Sequence, residues 1–318
     1  MPVTICLIIA NLVVFGFYID QSSLDSLSDP DTLVLYKMGA SFGAAVFVEH
    51  QYWRLLTSMF LHSNLAHIAM NMFSLFIFGR LLEKPLGSSR FFCLYFISGA
   101  FGALTSIGWR PWVEGVGASG AIVGLFGFYM ILQLLTDEKG QSSWTYRLRQ
   151  IITLGLVLYI SNLAPGIDYA CHFGGMVGGI ACGVAFARFS DLRVRWCWKD
   201  FAIVSFFSAL ALLTFWIESG TIGQDKSLPA LILVKEAMPL IDKPDLPAAA
   251  AKLDQAVRLA PDNVNILLLH ASVIAEMRRI PEALADCDKV LSIDPKNTRA
   301  QYIRRALEDF VKRHNAQQ

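Results

Sequence analysis

Hydrophobic positions fall in long unbroken runs over roughly the first two thirds of the chain. The runs are Val3–Ile19, a segment within Leu55–Leu82, and then about Phe91–Ile107, Val116–Leu135, Ile151–Leu163, Tyr169–Phe189 and Phe201–Ile217. A helix needs roughly 20 apolar residues to cross a bilayer, and each run predicts one such helix. The fifth is short. Its ends extend into Leu148–Arg149 and Ala164, or the bilayer thins around it. The first run has no basic segment before it and no clear small-residue cleavage site, so it reads as a span rather than a cleaved signal peptide. The pattern predicts an all-α, polytopic membrane helical bundle of seven spans, followed by a polar appendage.

Composition supports this. Of 318 residues, 54% are hydrophobic and only 17% charged, whereas a soluble domain carries about 25% charged residues. The net charge of +1 gives no reason to expect a nucleic-acid partner. Cys6, Cys93, Cys171, Cys182, Cys197 and Cys287 are scattered, with neither metal-ligand spacing nor a disulfide framework. No cofactor or metal is expected.

Loop charges set an orientation. Arg80, Lys84 and Arg90 follow span two, Lys139, Arg147 and Arg149 follow span four, and Arg188, Arg193, Arg195 and Lys199 follow span six. The alternate loops carry Lys37 with Arg54, then Arg110, then no base in Ser161–Asp168. The positive-inside rule assigns the basic set to the cytoplasm, with the N-terminus inside and the C-terminus outside. Spans two, four and six then run inward, and their first turns share one depth near the outer surface.

At that depth stand the candidate reactive groups. Gly115–Gly127 reads GVGASGAIVGLFG, with one hydroxyl, Ser119. Gly117, Gly120, Gly124 and Gly127 are spaced for one helical face, and such a face admits a second helix closely. Span six supplies Gly175, Gly179 and Gly183 at matching intervals. Packing Gly120 and Gly124 against Gly175 and Gly179 would bring Ser119 toward His172. His67 and Asn71, four residues apart early in span two, share a face. Taken singly, Ser119 reads as a space-saver, His67 and Asn71 as interhelical hydrogen bonders and His172 as a core histidine; their coincidence at one level favours a site. A neutral imidazole can take a serine proton during attack on a carbonyl. Asn71, the His67 ring and the Ser119 backbone N–H are donors of the kind an oxyanion needs.

These motifs resemble the rhomboid family of intramembrane serine proteases. The resemblance rests on Trp53–Arg54, His67-x-x-x-Asn71, the Glu83–Gly87 turn, Gly117-Ala-Ser119-Gly120 and His172-Phe-Gly-Gly175, over about residues 1–190. It implies Ser119 as nucleophile and His172 as general base, with His67, Asn71 and the Ser119 amide stabilising the oxyanion. It implies single-pass membrane proteins as substrates, cut in or near their spans within the lipid bilayer. Span seven matches the variant with an extra C-terminal helix, and Trp53–Arg54 match a fold-stabilising motif. Two positions depart from the family pattern. Val123 stands where an aromatic often packs on the histidine, and Cys171 where alanine is common. Asp168, one turn before His172, is a helix cap or an orienting group for the ring. His62, Ser63 and Asn64 are candidates for lining a wet cavity that opens outward.

The whole chain divides into a membrane domain (1–218), a linker (219–246) and a tetratricopeptide-like helical domain (247–318). In the last, Pro247–Pro261 aligns with Pro281–Pro295 at an offset of 34 residues, and Asn263 pairs with Asn297. This is the tetratricopeptide period. The tail is a groove for a protein partner or a stabilising cap, and by the topology above it is extracytoplasmic. The architecture and the absence of a targeting peptide favour a bacterial plasma membrane. A serine endopeptidase is the leading functional reading. The alternatives are a non-enzymatic, client-binding relative of the family and a transporter.

Overall fold

The computed structural model describes residues 1–135, 145, 148–149, 152, 167–189, 198–222, 225, 227–242 and 245–315. The expected fifth span (151–163) and much of the basic loops at 136–150 and 190–197 lie outside the described residues. The described residues are helical apart from loops and one isolated antiparallel bridge between Ser41 and Gly115. The chain divides into two compact units, Met1–Gly223 and Gln224–Gln318.

The first unit begins with α1 (Pro2–Gln21). A folded loop follows, carrying short helices α2 (Thr32–Met38), α3 (Gly43–Phe47) and α4 (Arg54–Thr57). Then come α5 (Leu65–Leu86), α6 (Ser88–Trp109), α7 (Ser119–Leu135), α8 (Tyr169–Phe189) and α9 (Trp198–Thr221). Five of these, α1, α5, α6, α8 and α9, are long and apolar enough to cross a membrane, and α7 is a shorter apolar helix.

At the centre, α6, α7 and α8 meet through small residues. A methyl group added at Gly175 would come within 2.0 Å of the Gly120 carbonyl oxygen, and one at Gly179 within 1.9 Å of that of Gly124. α7 and α8 therefore touch backbone to backbone, an approach that small residues permit. α6 joins them through Ser98, which lies under Gly124, and Gly102, which faces the Cys171 carbonyl. One expectation is corrected here. Gly117 is not on the glycine face of α7, because the helix begins at Ser119 and Gly117 stands in the preceding loop with φ +124°.

Polar side chains secure the outer helices. Glu83, near the end of α5, accepts from the backbone N–H of Val3 and Thr4, the Thr4 hydroxyl and the Ser88 hydroxyl. It satisfies first-turn donors of α1 that have no partner within the helix, which gives the Glu83–Gly87 turn a structural role. Arg54 is buried and donates to the carbonyls of Tyr36 and Ala40 and to the Gln51 side chain. Its guanidinium stacks over the Tyr36 and Trp53 rings. Trp53–Arg54 thereby organise the loop that carries α2 to α4. Phe42, Val46 and Phe47 of that loop are buried.

The second unit contains α10 (Leu228–Asp242), α11 (Leu246–Leu259), α12 (Val264–Glu276), α13 (Ile280–Ile293) and α14 (Thr298–Asn315). α10 falls within the stretch read from sequence as a linker, and its Ala237 joins a core with Ala249, Ala250 and Leu253 of α11 and Ala271 and Ile274 of α12. Asp245 and Asn263 cap α11 and α12 by accepting from N–H groups of their first turns.

Candidate functional site

Ser119 is the first residue of α7 and is half-buried between Ala118 and Gly120, both buried. The loop leading to it is held at two points. Gly115 exchanges both backbone hydrogen bonds with Ser41, at 2.8 and 2.9 Å, and Gly117 N–H donates to the Ser58 carbonyl. Gly117 must be glycine on two counts. Its φ is one that L side chains rarely adopt. A Cβ there would also lie 2.8 Å from His67 Nε2 and 2.9 Å from its Cε1. The His67 ring therefore rests on the backbone two residues before Ser119.

Local structure orients that ring. Asn64 caps α5 by accepting from the His67 N–H at 2.9 Å. Ser63 N–H donates to His67 Nδ1 at 3.4 Å, and the Ser63 hydroxyl is 3.1 Å from the same atom. An Nδ1 that accepts from the backbone leaves the ring hydrogen on Nε2, the nitrogen facing Gly117. Asn71 is buried, and its Nδ2 donates to the His67 carbonyl at 3.0 Å. A side-chain amide has a second N–H to offer.

His172 lies in the first turn of α8 and is 6% exposed. It stands three residues before Gly175, which packs on Gly120, the neighbour of Ser119. His172 is also within electrostatic reach of His67. Its Nδ1 is buried without a hydrogen-bond partner. The Asp168 carboxylate is engaged elsewhere: one oxygen accepts from the Cys171 N–H at 3.0 Å, capping α8, and the other takes the Ser106 hydroxyl in a short hydrogen bond. Of the two roles open to Asp168, the geometry corresponds to the cap.

Beside Ser119 is a cavity of about 20 Å³ whose walls include Ser41, Ser58, Ser106, Ser119, Asp168 and Cys171. That is room for about one water among polar partners. Cys171 packs on Gly120 and Gly102 and fills the space between three helices. Val123 packs in a cluster with Phe126, Met130 and Met176. His62, Ser63 and Asn64 do not line the cavity. His62 is fully buried with its ring edge-on to His67, centroids 5.0 Å apart, while Ser63 and Asn64 are committed to His67. Among the described residues, no group of three His, Cys, Asp or Glu side chains could hold a metal.

Sequence reasoning did not single out Ser41, Ser58 or Ser106. A signal existed for Ser106, because Ser98, Gly102 and Ser106 recur at four-residue intervals, the small-residue spacing of a packed membrane helix. No such periodicity marks Ser41 and Ser58, which lie in the loop.

A model of the rhomboid domain matches residues 49–189, from α4 through the end of α8. Rhomboid protease AarA of Providencia stuartii is 30% identical over 212 residues, covering 58% of this chain and 73% of that protein. The chain belongs to the rhomboid family. RHOMBOID-like protein 6, mitochondrial, of Arabidopsis thaliana is 35% identical over 154 residues, covering 48% of this chain and 50% of that protein. RHOMBOID-like protein 1 of the same plant is 38% identical over 166 residues, covering 50% and 41%. The chain thus spans half or less of these two plant relatives. Rhomboid membership together with five helices able to cross a bilayer among the described residues makes this a multi-pass membrane protein.

Proposed function

We propose that this rhomboid is an intramembrane serine endopeptidase that cleaves single-pass membrane proteins in or near their spans. The observation that carries the reading is the backbone contact of Gly120 with Gly175. It sets the first turns of α7 and α8 side by side, with the His67 ring against the loop before Ser119. The names of relatives such as Rhomboid protease AarA support the same activity.

In this mechanism the Ser119 hydroxyl attacks the scissile carbonyl. His172 accepts the serine proton and then gives it to the leaving amine, as a general base turned general acid. The second N–H of Asn71, the Nε2–H of His67 and the Ser119 backbone N–H stabilise the oxyanion of the tetrahedral intermediate. Water then hydrolyses the acyl-enzyme, and the small polar cavity beside Ser119 is suited to deliver it. The helix–helix seam holds these groups in place before substrate arrives, and such preorganisation is where much of the rate enhancement arises.

Loop charge asymmetry supports an N-terminus in the cytoplasm and a site near the outer leaflet. The second unit would then be extracytoplasmic, its repeated helices a docking site for a protein partner. A bacterial plasma membrane is the proposed location. The match to the Providencia relative, 212 residues long, exceeds either plant match.

The test is turnover of a fluorescent single-span reporter in liposomes by the purified protein, Ser119→Ala and His172→Ala. Loss of all but about a thousandth of the rate in both variants is expected, since members of a catalytic unit fail together. A folded wild type that leaves several reporters intact would point instead to client binding without cleavage.

A further inference from the structure

The rhomboid match ends at residue 189, and α9 lies beyond it. Only 17% of its most apolar stretch is buried, so most of its surface is left for lipid. Ile203, Phe207, Ala211 and Phe215 pack against the rest of the first unit, and further contacts secure the two ends of the helix. In its first turn the Asp200 carboxylate takes two hydrogen bonds from Arg90 of α6, at 2.8 and 2.9 Å, with both side chains buried. Near its other end Glu218 sits on Gly108, where a Cβ would come 2.5 Å from Oε1. There the Phe215 ring stacks on Phe47 with centroids 5.9 Å apart and planes 16° apart, and it meets Tyr52 edge-on at 5.1 Å.

Phe47 closes α3, and the other end of that helix leads to the site. Gly43, its first residue, lies against Pro111 closely enough that a Cβ would fall 2.4 Å from the proline ring. Two residues earlier, Ser41 forms its paired bonds with Gly115. Both residues border the cavity beside Ser119. A continuous packed path therefore runs from Phe215 through Phe47 and α3 to the Ser41–Gly115 bridge that fixes the loop before Ser119.

We propose that Phe215 is a positioning residue for the reaction: it braces α3 from outside the rhomboid domain and thereby holds the Ser41–Gly115 bridge and the Ser119 loop in register. The proposal rests on the proteolytic reading above. Phe215 touches no reacting atom. Loops that misplace a reacting group by a fraction of an ångström to an ångström are costly in rate, and stacked and edge-on aromatic contacts hold a side chain beyond what its buried area alone supplies.

The experiment compares wild type, Phe215→Ala, Phe215→Leu, Tyr52→Ala and Leu212→Ala in liposomes. Leu212 is exposed on the same helix and serves as the control. Rates are scaled to the fraction of protein that a serine-directed phosphonate labels, which removes any loss of folded enzyme. Phe215→Ala should lower kcat per labelled site about tenfold while KM stays within about twofold. Tyr52→Ala should act in the same direction more weakly, Phe215→Leu should recover most of the rate, and Leu212→Ala should match wild type. In parallel, amide exchange of peptides covering residues 41–47 and 113–118 should quicken in Phe215→Ala and nowhere else in the first unit. Unchanged kcat in labelled Phe215→Ala overturns the proposal. If Phe215→Ala does not fold, unchanged kcat in labelled Tyr52→Ala does so. If wild type itself cleaves nothing, the proteolytic reading fails on its own terms. Exchange then decides whether Phe215 braces the loop, and uniform protection at 41–47 and 113–118 in the variants refutes the brace.

Discussion

The two units of this chain are both helical, yet opposite kinds of residue hold them together. In the first, the central helices meet where side chains are missing, at Gly120, Gly124, Gly175 and Gly179. In the second, the core is a filled layer of Ala249, Ala250, Leu253, Ala271 and Ile274, with polar residues of α11 such as Gln255 and Arg258 exposed. The difference follows from the solvent. Lipid tails are as apolar as leucine, so burying a leucine between membrane helices gains little, and close backbone approach must supply the attraction. In water, burial of apolar area is itself the driving force, at roughly 25 cal/mol per Å². Charge follows the same division. The Arg90–Asp200 pair is buried, whereas ion pairs of the second unit such as Lys252–Glu236 and Lys289–Asp262 are exposed.

The largest effect should come from breaking the buried pair. Asp200→Leu takes the carboxylate away from a buried guanidinium, at a cost of about 3–5 kcal/mol. Arg90→Met combined with Asp200→Leu should recover most of that loss, because an apolar pair no longer carries the desolvation penalty. Unfolding of the first unit in mixed micelles, followed for wild type, both single variants and the double variant, measures the coupling. A double variant as unstable as Asp200→Leu would show that the pair is not the anchor.

Next is the glycine seam. Gly179→Val puts a branched side chain where even a methyl group would fall 1.9 Å from a carbonyl oxygen. The helices must separate, at a cost of about 3 kcal/mol, and activity in the liposome assay should vanish with the contact. Ala271→Val in the second unit, a gain of two carbons rather than three inside an aliphatic core, should cost less and leave turnover intact. Equal losses in both units would erase the distinction drawn between them.

How much of this was legible depends on what each feature needs. Glycines at intervals of four announce a seam, and the seam alone brings Gly120 to Gly175. Gly117 fits the same spacing but serves a different purpose, because spacing cannot distinguish a glycine needed for packing from one needed for a positive φ. The His67–Asn71 pair could be read from helical periodicity. The tautomer of His67 could not, since it depends on Ser63 N–H turning back to Nδ1. Asp168 was ambiguous because a cap and an orienting carboxylate occupy the same position in sequence, and only the partners Cys171 N–H and Ser106 separate them. Ser41 and Gly115 are 74 residues apart, and a bridge over that separation leaves no local mark on either segment. The helix Leu228–Asp242 was missed because Pro229 and Pro239 suggested a connector, whereas Pro229 stands in the first turn, where its missing N–H costs nothing.

Among the described residues of the second unit, a buried histidine sharpens the comparison through pH. His270 of α12 is buried, with Nδ1 2.7 Å from Asp286 of α13 and Nε2 3.0 Å from Asp254 of α11. Arg279 and Glu282 stand next to these carboxylates. Burial opposes a charged ring, but Asp286 and then Asp254 outweigh it, and the His270 pKa lies above the ordinary histidine value of 6.5. A folded pKa above the unfolded one means that the ring's contribution is complete below about pH 6.5 and is lost as pH rises through the folded value. Amide exchange of α11 to α13 in the full protein should therefore quicken between pH 6 and 9 beyond its intrinsic pH dependence, while α6 to α8 show no such change. His270→Gln should cost the second unit about 2 kcal/mol at pH 6 and abolish the extra pH dependence. An unchanged pH profile in that variant would mean that the imidazole does not join the three helices as a cation.

The smallest effect belongs to the exposed pairs and completes the contrast with Arg90–Asp200. Lys252 Nζ lies 2.5 Å from Glu236 Oε2, shorter than either Arg90–Asp200 bond, yet the two side chains are 38% and 47% exposed. Water screens both charges, and ordering two long side chains offsets much of the attraction, so such a pair contributes between nothing and about 1 kcal/mol. Lys252→Met should shift the stability of the second unit by less than about 0.5 kcal/mol, and 1 M salt should remove what remains. The comparison with Asp200→Leu isolates solvation, since distance alone would rank the two pairs the other way. A salt-insensitive loss of several kcal/mol from Lys252→Met would show that distance outweighs exposure in this molecule.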